Sequence, residues 1–125
     1  ESVLAEDVDK VTKILTALKA IGISLSMDDF GTGYSSLNYL RTLNVDELKI
    51  DKTFIDHFHE STTDQVMVTT IISIAQNFGL KVVIEGVETK EQFDLLAYYD
   101  CFAYQGFYFS KPLSQKAFEK KYLTL

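Results

Sequence analysis

Charged and amide side chains recur at the points where the apolar runs of this sequence end. In chain order they are Asp28, Asp29, Lys49, Asp51, Glu85, Glu88 and Gln105. Carboxylates are the ligands that hard divalent cations prefer, and a lysine beside them can hold an anion or a water molecule. In α/β folds such sites form at the carboxyl ends of the strands. The pattern therefore predicts a site that combines metal-binding carboxylates with a lysine.

Each of these residues, taken alone, also has a simpler explanation. An acidic pair such as Asp28-Asp29 often caps a turn. Lys49 lies between two apolar residues and could face solvent from an edge strand. Glu85 precedes a glycine and could be the first solvated residue of a loop. The hypothesis of a site depends on these residues occurring together.

Helix-like and strand-like patterns alternate along the chain. Helices are predicted at about 5–21, 35–42, 63–78, 89–99 and 115–123, and strands at about 23–29, 47–51, 81–85 and 102–109. Thr62 with Gln65, and Thr89 with Gln92, have the spacing of capping boxes. The order α-βα-βα-βα-βα implies right-handed crossovers and parallel strands in an α/β fold. Four βα units are half of a TIM-like (β/α)8 barrel, and an open doubly wound sheet is the alternative.

The bulk properties exclude several functional classes. The net charge of −6 argues against a surface that binds a nucleic-acid polymer mainly by counterion release. Cys101 is the only cysteine, which excludes an internal disulfide and a zinc–thiolate cluster and favours a reducing compartment. No apolar run approaches the roughly 18 residues that span a bilayer. Because the sequence begins at Glu1 without an initiator methionine, we expect a processed chain or a fragment.

Four segments of the sequence carry a joint pattern. Residues 28–37 read Asp-Asp-Phe-Gly-Thr-Gly-Tyr-Ser-Ser-Leu, and residues 48–52 read Leu-Lys-Ile-Asp-Lys. Residues 83–89 read Val-Ile-Glu-Gly-Val-Glu-Thr, and residues 105–113 read Gln-Gly-Phe-Tyr-Phe-Ser-Lys-Pro-Leu. In this order and spacing they resemble the motifs of EAL domains, bacterial phosphodiesterases that hydrolyse cyclic di-GMP to the linear dinucleotide pGpG. The resemblance extends over nearly the whole chain.

The resemblance implies a two-metal site that holds Mg²⁺ or Mn²⁺. Asp28 would bind or bridge both ions, and Asp29 would bind the second ion. Lys49 would orient or help activate the attacking water. Glu85 would act at the second metal and its water, where it is also a candidate general base, and Gln105 would hold water or phosphate nearby. Such a site suits a cyclic phosphodiester because two cations lower the pKa of a water molecule and neutralise the charge that develops on phosphorus.

The same resemblance implies a set of supporting residues. They are Glu1, Phe30, Gly31, Thr32, Gly33 and Glu88. The loop that begins at Phe30 would couple metal binding, substrate binding and dimerisation, and a homodimer would form through residues of about 30–42. Glu88 would support the site from behind. Glu1 matches, by spacing alone, the glutamate that steadies the loop.

The family pattern also implies what lies beyond this chain. Residues 1–125 correspond to the C-terminal half of the barrel, and the N-terminal half with its Glu-Ala-Leu strand is absent. We therefore expect the phosphodiesterase to be a longer bacterial signalling protein, either cytoplasmic or membrane-anchored with this domain in the cytoplasm. This chain alone is expected to be inactive. The alternative is a non-catalytic cyclic-di-GMP sensor or a protein-interaction module on the same scaffold.

Overall fold

The elements alternate between helix and strand along the chain. The computed structural model describes residues 5–31 and 37–124, with side chains from residue 7 onwards. In order, the elements are α1 (Ala5–Ala20), β1 (Ser26–Phe30), α2 (Leu37–Thr42), β2 (Glu47–Ile50), a 3-10 turn (Lys52–Phe54), α3 (Thr62–Asn77), β3 (Lys81–Ile84), α4 (Lys90–Leu96), β4 (Ala103–Tyr104) and α5 (Gln115–Tyr122). This order confirms the predicted α/β alternation. Within the described ranges, every helix is too short or too polar to cross a bilayer.

The strands of the described residues form one parallel sheet in the order β1-β2-β3-β4. β2 and β3 are aligned so that Leu48 lies beside Val82 and Ile50 beside Ile84. Each strand therefore lies next to the strand that precedes it in the chain. An open doubly wound sheet reverses its strand order at a switch point, whereas a barrel adds its strands in sequence. The observed order confirms parallel strands and favours the barrel-type arrangement.

One face of the sheet forms the hydrophobic core together with α3. Leu48, Ile50 and Ile84 are fully buried on this face. The apolar stripe of α3 that belongs to the same core consists of Val68, Ile71, Ile72 and Ala75. These residues recur at helical spacing, and burying a large aliphatic side chain contributes about 1.5–3 kcal/mol. Lys49 alternates with Leu48 and Ile50, so this packing directs the lysine to the opposite face of the sheet.

Two predicted strands have different bounds in the structure. β1 spans Ser26–Phe30, so it begins about three residues later than predicted and extends one residue past the two aspartates. β4 is limited to Ala103–Tyr104 because the chain turns immediately afterwards. In this turn the amides of Phe109 and Ser110 both donate to the carbonyl oxygen of Gly106, at 3.1 and 3.3 Å. The aromatic run that predicted a longer strand therefore lies mostly in a turn.

The two predicted capping boxes have different outcomes. The box of Thr89 and Gln92 is confirmed, because each side chain bonds the backbone amide of the other residue at the start of α4. The box of Thr62 and Gln65 is wrong. α3 is instead capped by Ser61, whose hydroxyl accepts from the amide of Asp64 at 3.1 Å. The amide group of Gln65 is engaged elsewhere, because its Nε2 donates to a carbonyl oxygen of the preceding loop at 2.7 Å.

Candidate active site

β1 contains a bulge at the two aspartates. Pairing with β2 resumes at Phe30 after one extra residue, so Asp28 and Asp29 together stand opposite Lys49. Asp29 has a φ of 56°, in the left-handed region that aspartate tolerates better than most residues. Its amide donates to Oδ1 of Asp28 at 2.8 Å. Bulges re-aim side chains, so these consecutive carboxylates are released from the alternation of a regular strand.

The carboxylates at this end of the sheet influence one another. The charge of Asp28 raises the pKa of Asp29 above its usual value, and desolvation and the charges of Asp51 and Glu85 add to the effect. A hydrogen bond between Asp29 and Asp51 contributes as well. The end of β1 therefore lies within electrostatic reach of the ends of β2 and β3. Mutual repulsion of this kind is what a bound cation relieves.

Lys49 forms an ion pair with Glu85 across the neighbouring strands. Its Nζ donates to Oε1 of Glu85 at 3.1 Å, and both side chains are largely shielded from solvent, with 27 % and 20 % of their surface exposed. This hydrogen bond raises the pKa of Lys49, although desolvation opposes the effect. β2 lies between β1 and β3, so the interpretation of Lys49 as an edge-strand lysine is wrong. The lysine is held as a fixed positive charge beside the acidic residues.

Asp51 follows β2 and is engaged with the 3-10 turn. Its Oδ2 accepts from the amide of Thr53 at 2.9 Å and from the Thr53 hydroxyl at 2.5 Å. These bonds hold the pKa of Asp51 below its usual value. A carboxylate that stays charged and caps the next element fixes the chain direction at the carboxyl end of β2.

Glu88 pairs with Lys52, a residue that the sequence reasoning did not identify as part of the site. The Nζ of Lys52 lies 3.0 Å from Oε1 of Glu88 and also donates to Asp56. The hydrogen bond to Asp56, followed by the bond to Glu88, raises the pKa of Lys52. The signal that could have revealed this pair is the matched spacing of two lysines in 49–52 and two glutamates in 85–88, each three residues apart.

Gln105 lies directly after β4, at the same edge of the sheet. The backbone amide of Gln105 donates to the carbonyl oxygen of Ile84 at 2.8 Å. Its backbone carbonyl oxygen accepts from the amide of Val87 at 3.1 Å. The next residue, Gly106, is in such close contact that an added Cβ would lie 2.0 Å from the Val87 carbonyl oxygen. Only glycine fits there, and this close approach sets the position of Gln105 relative to the loop that follows β3.

The supporting residues have several different locations. Phe30 is a core residue with 5 % exposure, which anchors the end of β1. Gly31 has a φ of +91°, and an added Cβ would lie 3.1 Å from the ring of Phe54. Glu1, Thr32 and Gly33 lie outside the described residues, so their predicted roles stay predictions.

The donor set at this edge suits a hard divalent cation, because it consists of carboxylate oxygens. The candidate donors are Asp28, Asp29 and Glu85. In the ranges 5–31 and 37–124, no three His, Cys, Asp or Glu residues are gathered closely enough to enclose an ion by themselves. The chemistry of these donors fits a divalent cation.

Comparison with known families agrees with this geometry. A model of the EAL domain family matches residues 1–112. The chain belongs to the EAL domain family. The crystal structure of the EAL domain of Mycobacterium smegmatis DcpA superimposes with a TM-score of 0.88 at 39 % identity, covering 96 % of this chain and 54 % of that one. The four-stranded parallel sheet is therefore an EAL-type fold.

Two further relatives carry functional information of their own. The cyclic di-GMP phosphodiesterase NbdA of Pseudomonas aeruginosa is 46 % identical over 120 residues, which are 96 % of this chain and 15 % of NbdA. Klebsiella pneumoniae BlrP1, in a manganese/cy-diGMP complex, is 38 % identical with a TM-score of 0.76, covering 83 % of this chain and 26 % of BlrP1. The chain thus spans a small part of the curated relatives it matches and about half of a solved EAL domain.

Proposed function

We propose that this chain is the C-terminal half of a barrel domain that hydrolyses cyclic di-GMP to pGpG. One observation carries the proposal: the ends of three neighbouring strands place Asp28, Asp29, Lys49 and Glu85 at one edge of an EAL-type sheet. The similarity to NbdA supports the same activity. The remaining ligands would come from the N-terminal half of the domain, so residues 1–125 alone would be inactive.

Asp28, Asp29 and Glu85 would hold two divalent cations, which we propose to be Mg²⁺ or Mn²⁺. Their oxygen donors and their mutual repulsion suit such ions. The manganese complex of BlrP1 supports a divalent cation, and BlrP1 also forms a calcium complex. When bound, two such cations would lower the pKa of a water molecule and would provide positive charge beside the phosphodiester.

Lys49 would act in this reaction as a proton-holding cation. The hydrogen bond to Glu85 raises the pKa of Lys49, and the ammonium can donate a hydrogen bond to a neighbouring oxygen. Glu85 orients the ammonium through the 3.1 Å bond. In this position the lysine stabilises negative charge on the attacking water or on a phosphoryl oxygen. The amide of Gln105 would hold water or phosphate at the end of β4.

Product analysis with the full-length protein tests the proposed activity. The protein is incubated with cyclic di-GMP and Mg²⁺ or Mn²⁺, and the nucleotides are separated by chromatography. We expect pGpG to accumulate, and to remain at background level with Asp28→Ala. Binding of cyclic di-GMP without pGpG formation would replace the proposal with a nucleotide sensor, and absence of both binding and turnover would overturn it.

We also propose that residues 30–42 form a homodimer contact in the cytoplasm. Leu37 at the start of α2 is 55 % exposed, and Phe78 beside it in a shallow apolar groove is 46 % exposed. Apolar surface of this kind favours a partner surface. Sedimentation of the full-length protein should show a dimer that Leu37→Asp converts to a monomer. A wild-type protein that is already monomeric would exclude this contact.

A further inference from the structure

Two lysines at the end of β2 pair with two glutamates that follow β3. Lys49 contacts Glu85 at 3.1 Å, and Lys52 contacts Glu88 at 3.0 Å. Both pairs connect the same two segments of neighbouring parallel strands. The first pair lies within the proposed site. The second pair lies outside it and has no role in the proposed chemistry.

The carbon chain of Lys52 also contacts the backbone between the two glutamates. A Cβ added at Gly86 would lie 2.4 Å from Cγ and 2.6 Å from Cβ of Lys52. The φ of Gly86 is +77°, so the backbone of residues 85–88 bends at the point of contact. Because no side chain separates the two, a displacement of Lys52 is transmitted directly to Gly86.

On its other side, the same loop is held by the segment that follows β4. The amide of Val87 donates to the carbonyl oxygen of Gln105 at 3.1 Å, and the amide of Tyr108 donates to the Val87 carbonyl oxygen at 3.0 Å. Val87 is fully buried. Lys52 on one side and Gln105 on the other therefore clamp the loop that carries Glu85.

The Lys52–Glu88 pair contributes little to stability, because exposed ion pairs are weak. Both side chains are nearly half exposed, with 47 % and 46 % of their surface accessible. Asp56, which follows the 3-10 turn, accepts a hydrogen bond from the same ammonium, so Lys52 is held by its own segment as well as by the loop. The arrangement suits a device that fixes geometry rather than one that stabilises the fold.

We propose that Lys52 is a positioning residue for the phosphodiesterase reaction, acting through Glu88 and Gly86 on the position of Glu85. The inference rests on the proposed function and extends it to a residue outside the metal site. Removal of residues that orient the groups around a metal typically reduces activity by about 10–100-fold.

The test compares Lys52→Met with Lys90→Met in the full-length protein. Lys90 is a matched control, because it forms an exposed ion pair with Asp94 at 2.5 Å that lies on α4. For Lys52→Met we expect kcat to fall by about tenfold or more with KM nearly unchanged, whereas Lys90→Met keeps wild-type kinetics. Both variants should have similar thermal midpoints, and Lys52→Arg should recover part of the activity.

A double-mutant cycle separates positioning from a general effect. Lys52→Met combined with Glu88→Gln should lose no more activity than either single variant, because both remove the same link. Equal kcat values for Lys52→Met and Lys90→Met would overturn the inference, and so would full additivity in the cycle.

If the wild-type protein does not hydrolyse cyclic di-GMP, the proposed function fails, but the role of Lys52 can still be tested by amide hydrogen exchange. The amide of Val87 should then exchange faster in Lys52→Met than in Lys90→Met. Equal protection in the two variants would overturn the role of Lys52.

Discussion

Lys49 illustrates how a charged side chain acquires a defined position. Its neighbours Leu48 and Ile50 are fully buried, so the alternation of β2 directs the lysine to the opposite face. There Glu85 accepts its hydrogen bond, which raises the pKa of Lys49. The side chain is thus a preorganised positive charge, which is the form of electrostatic stabilisation that requires no rearrangement during the reaction.

Replacing Lys49 by methionine should lower kcat by roughly 100-fold or more while the protein stays folded. Methionine keeps most of the apolar stem but removes the charge. Lys81→Met is the control, because Lys81 is exposed and its ammonium lies over the ring of Phe102 at 4.5 Å. The measurement is turnover of cyclic di-GMP by the full-length protein. Equal turnover by both variants would contradict the assigned role.

Cys101 should react slowly with alkylating agents at neutral pH. Burial raises the pKa of its thiol to about 11, compared with about 8.5 for an unperturbed cysteine, so the thiolate is scarce. The rate of labelling by iodoacetamide, followed by mass spectrometry, should rise about tenfold per pH unit up to about pH 11. A plateau already near pH 8.5 would contradict the burial of this thiol.

Among the secondary-structure elements, β1 is distinguished by a bulge that leaves two consecutive aspartates opposite Lys49. Asp29 adopts a φ of 56°, and the register gains one residue at this point. Asp29→Asn should preserve the fold, because asparagine also tolerates this conformation, but it should reduce activity by removing a charged ligand. Asp29→Val should cost about 1–2 kcal/mol more in unfolding free energy. Chemical denaturation of both variants is the measurement, and equal stability of the two would argue against the left-handed conformation.

Asp46 connects α1 to the starts of two strands. Its carboxylate contacts Nζ of Lys19 and accepts from the amide of Leu25, each at 2.8 Å. These bonds, with that of Lys19 first, hold the pKa of Asp46 below its usual value. Because the folded-state pKa is the lower one, the stabilisation is present above the unfolded pKa of about 3.9 and is lost as pH falls through the folded value.

Asp46→Asn should therefore lower the thermal midpoint at about pH 7, and the difference from the wild type should narrow below about pH 4. Thermal unfolding of both proteins across this pH range is the measurement. A difference that stays constant down to about pH 3 would mean that the charge of Asp46 has no part in the stabilisation.

The sequence predicted the elements better than their ends. Alternation of apolar and polar residues predicts β2, and the continuous apolar run Val82-Val83-Ile84 predicts β3 as a buried strand of a parallel sheet. The bulge at Asp29 was not predictable, because a left-handed aspartate in a strand has no signature in composition. The same is true of the cap at Ser61, because the adjacent residues Ser61 and Thr62 both carry hydroxyl groups. Propensity does not decide between such local alternatives, and tertiary packing does.

The candidate site was largely predicted from the sequence, and the remainder depended on contacts between distant residues. Asp28, Asp29, Lys49 and Glu85 follow from the rule that sites form at the carboxyl ends of parallel strands. The role of Lys52 does not follow from this rule. Its partner Glu88 is remote in sequence, and the contact of Lys52 with Gly86 depends on the positive φ of that glycine. Contacts of this kind arise only when two strands have been placed side by side.

Considered as a whole, the described residues form a four-stranded parallel sheet whose candidate site residues lie at one edge. Four parallel strands lie in chain order, and no group of three potential ligands within 5–31 and 37–124 is close enough to enclose a metal. The chain covers 54 % of the DcpA EAL domain to which it is similar. The proposal that the other half of a barrel completes the site follows from these two facts together.

The metal-dependent site is tested by measuring cyclic di-GMP turnover as a function of added Mg²⁺ or Mn²⁺, in the full-length protein and in its Asp28→Asn variant. We expect turnover to rise with metal concentration and to stop when a chelator is added. In Asp28→Asn, turnover should be at least about 100-fold lower at every metal concentration. Turnover that persists with chelator, or that Asp28→Asn leaves unchanged, would contradict a metal-dependent site at the ends of these strands.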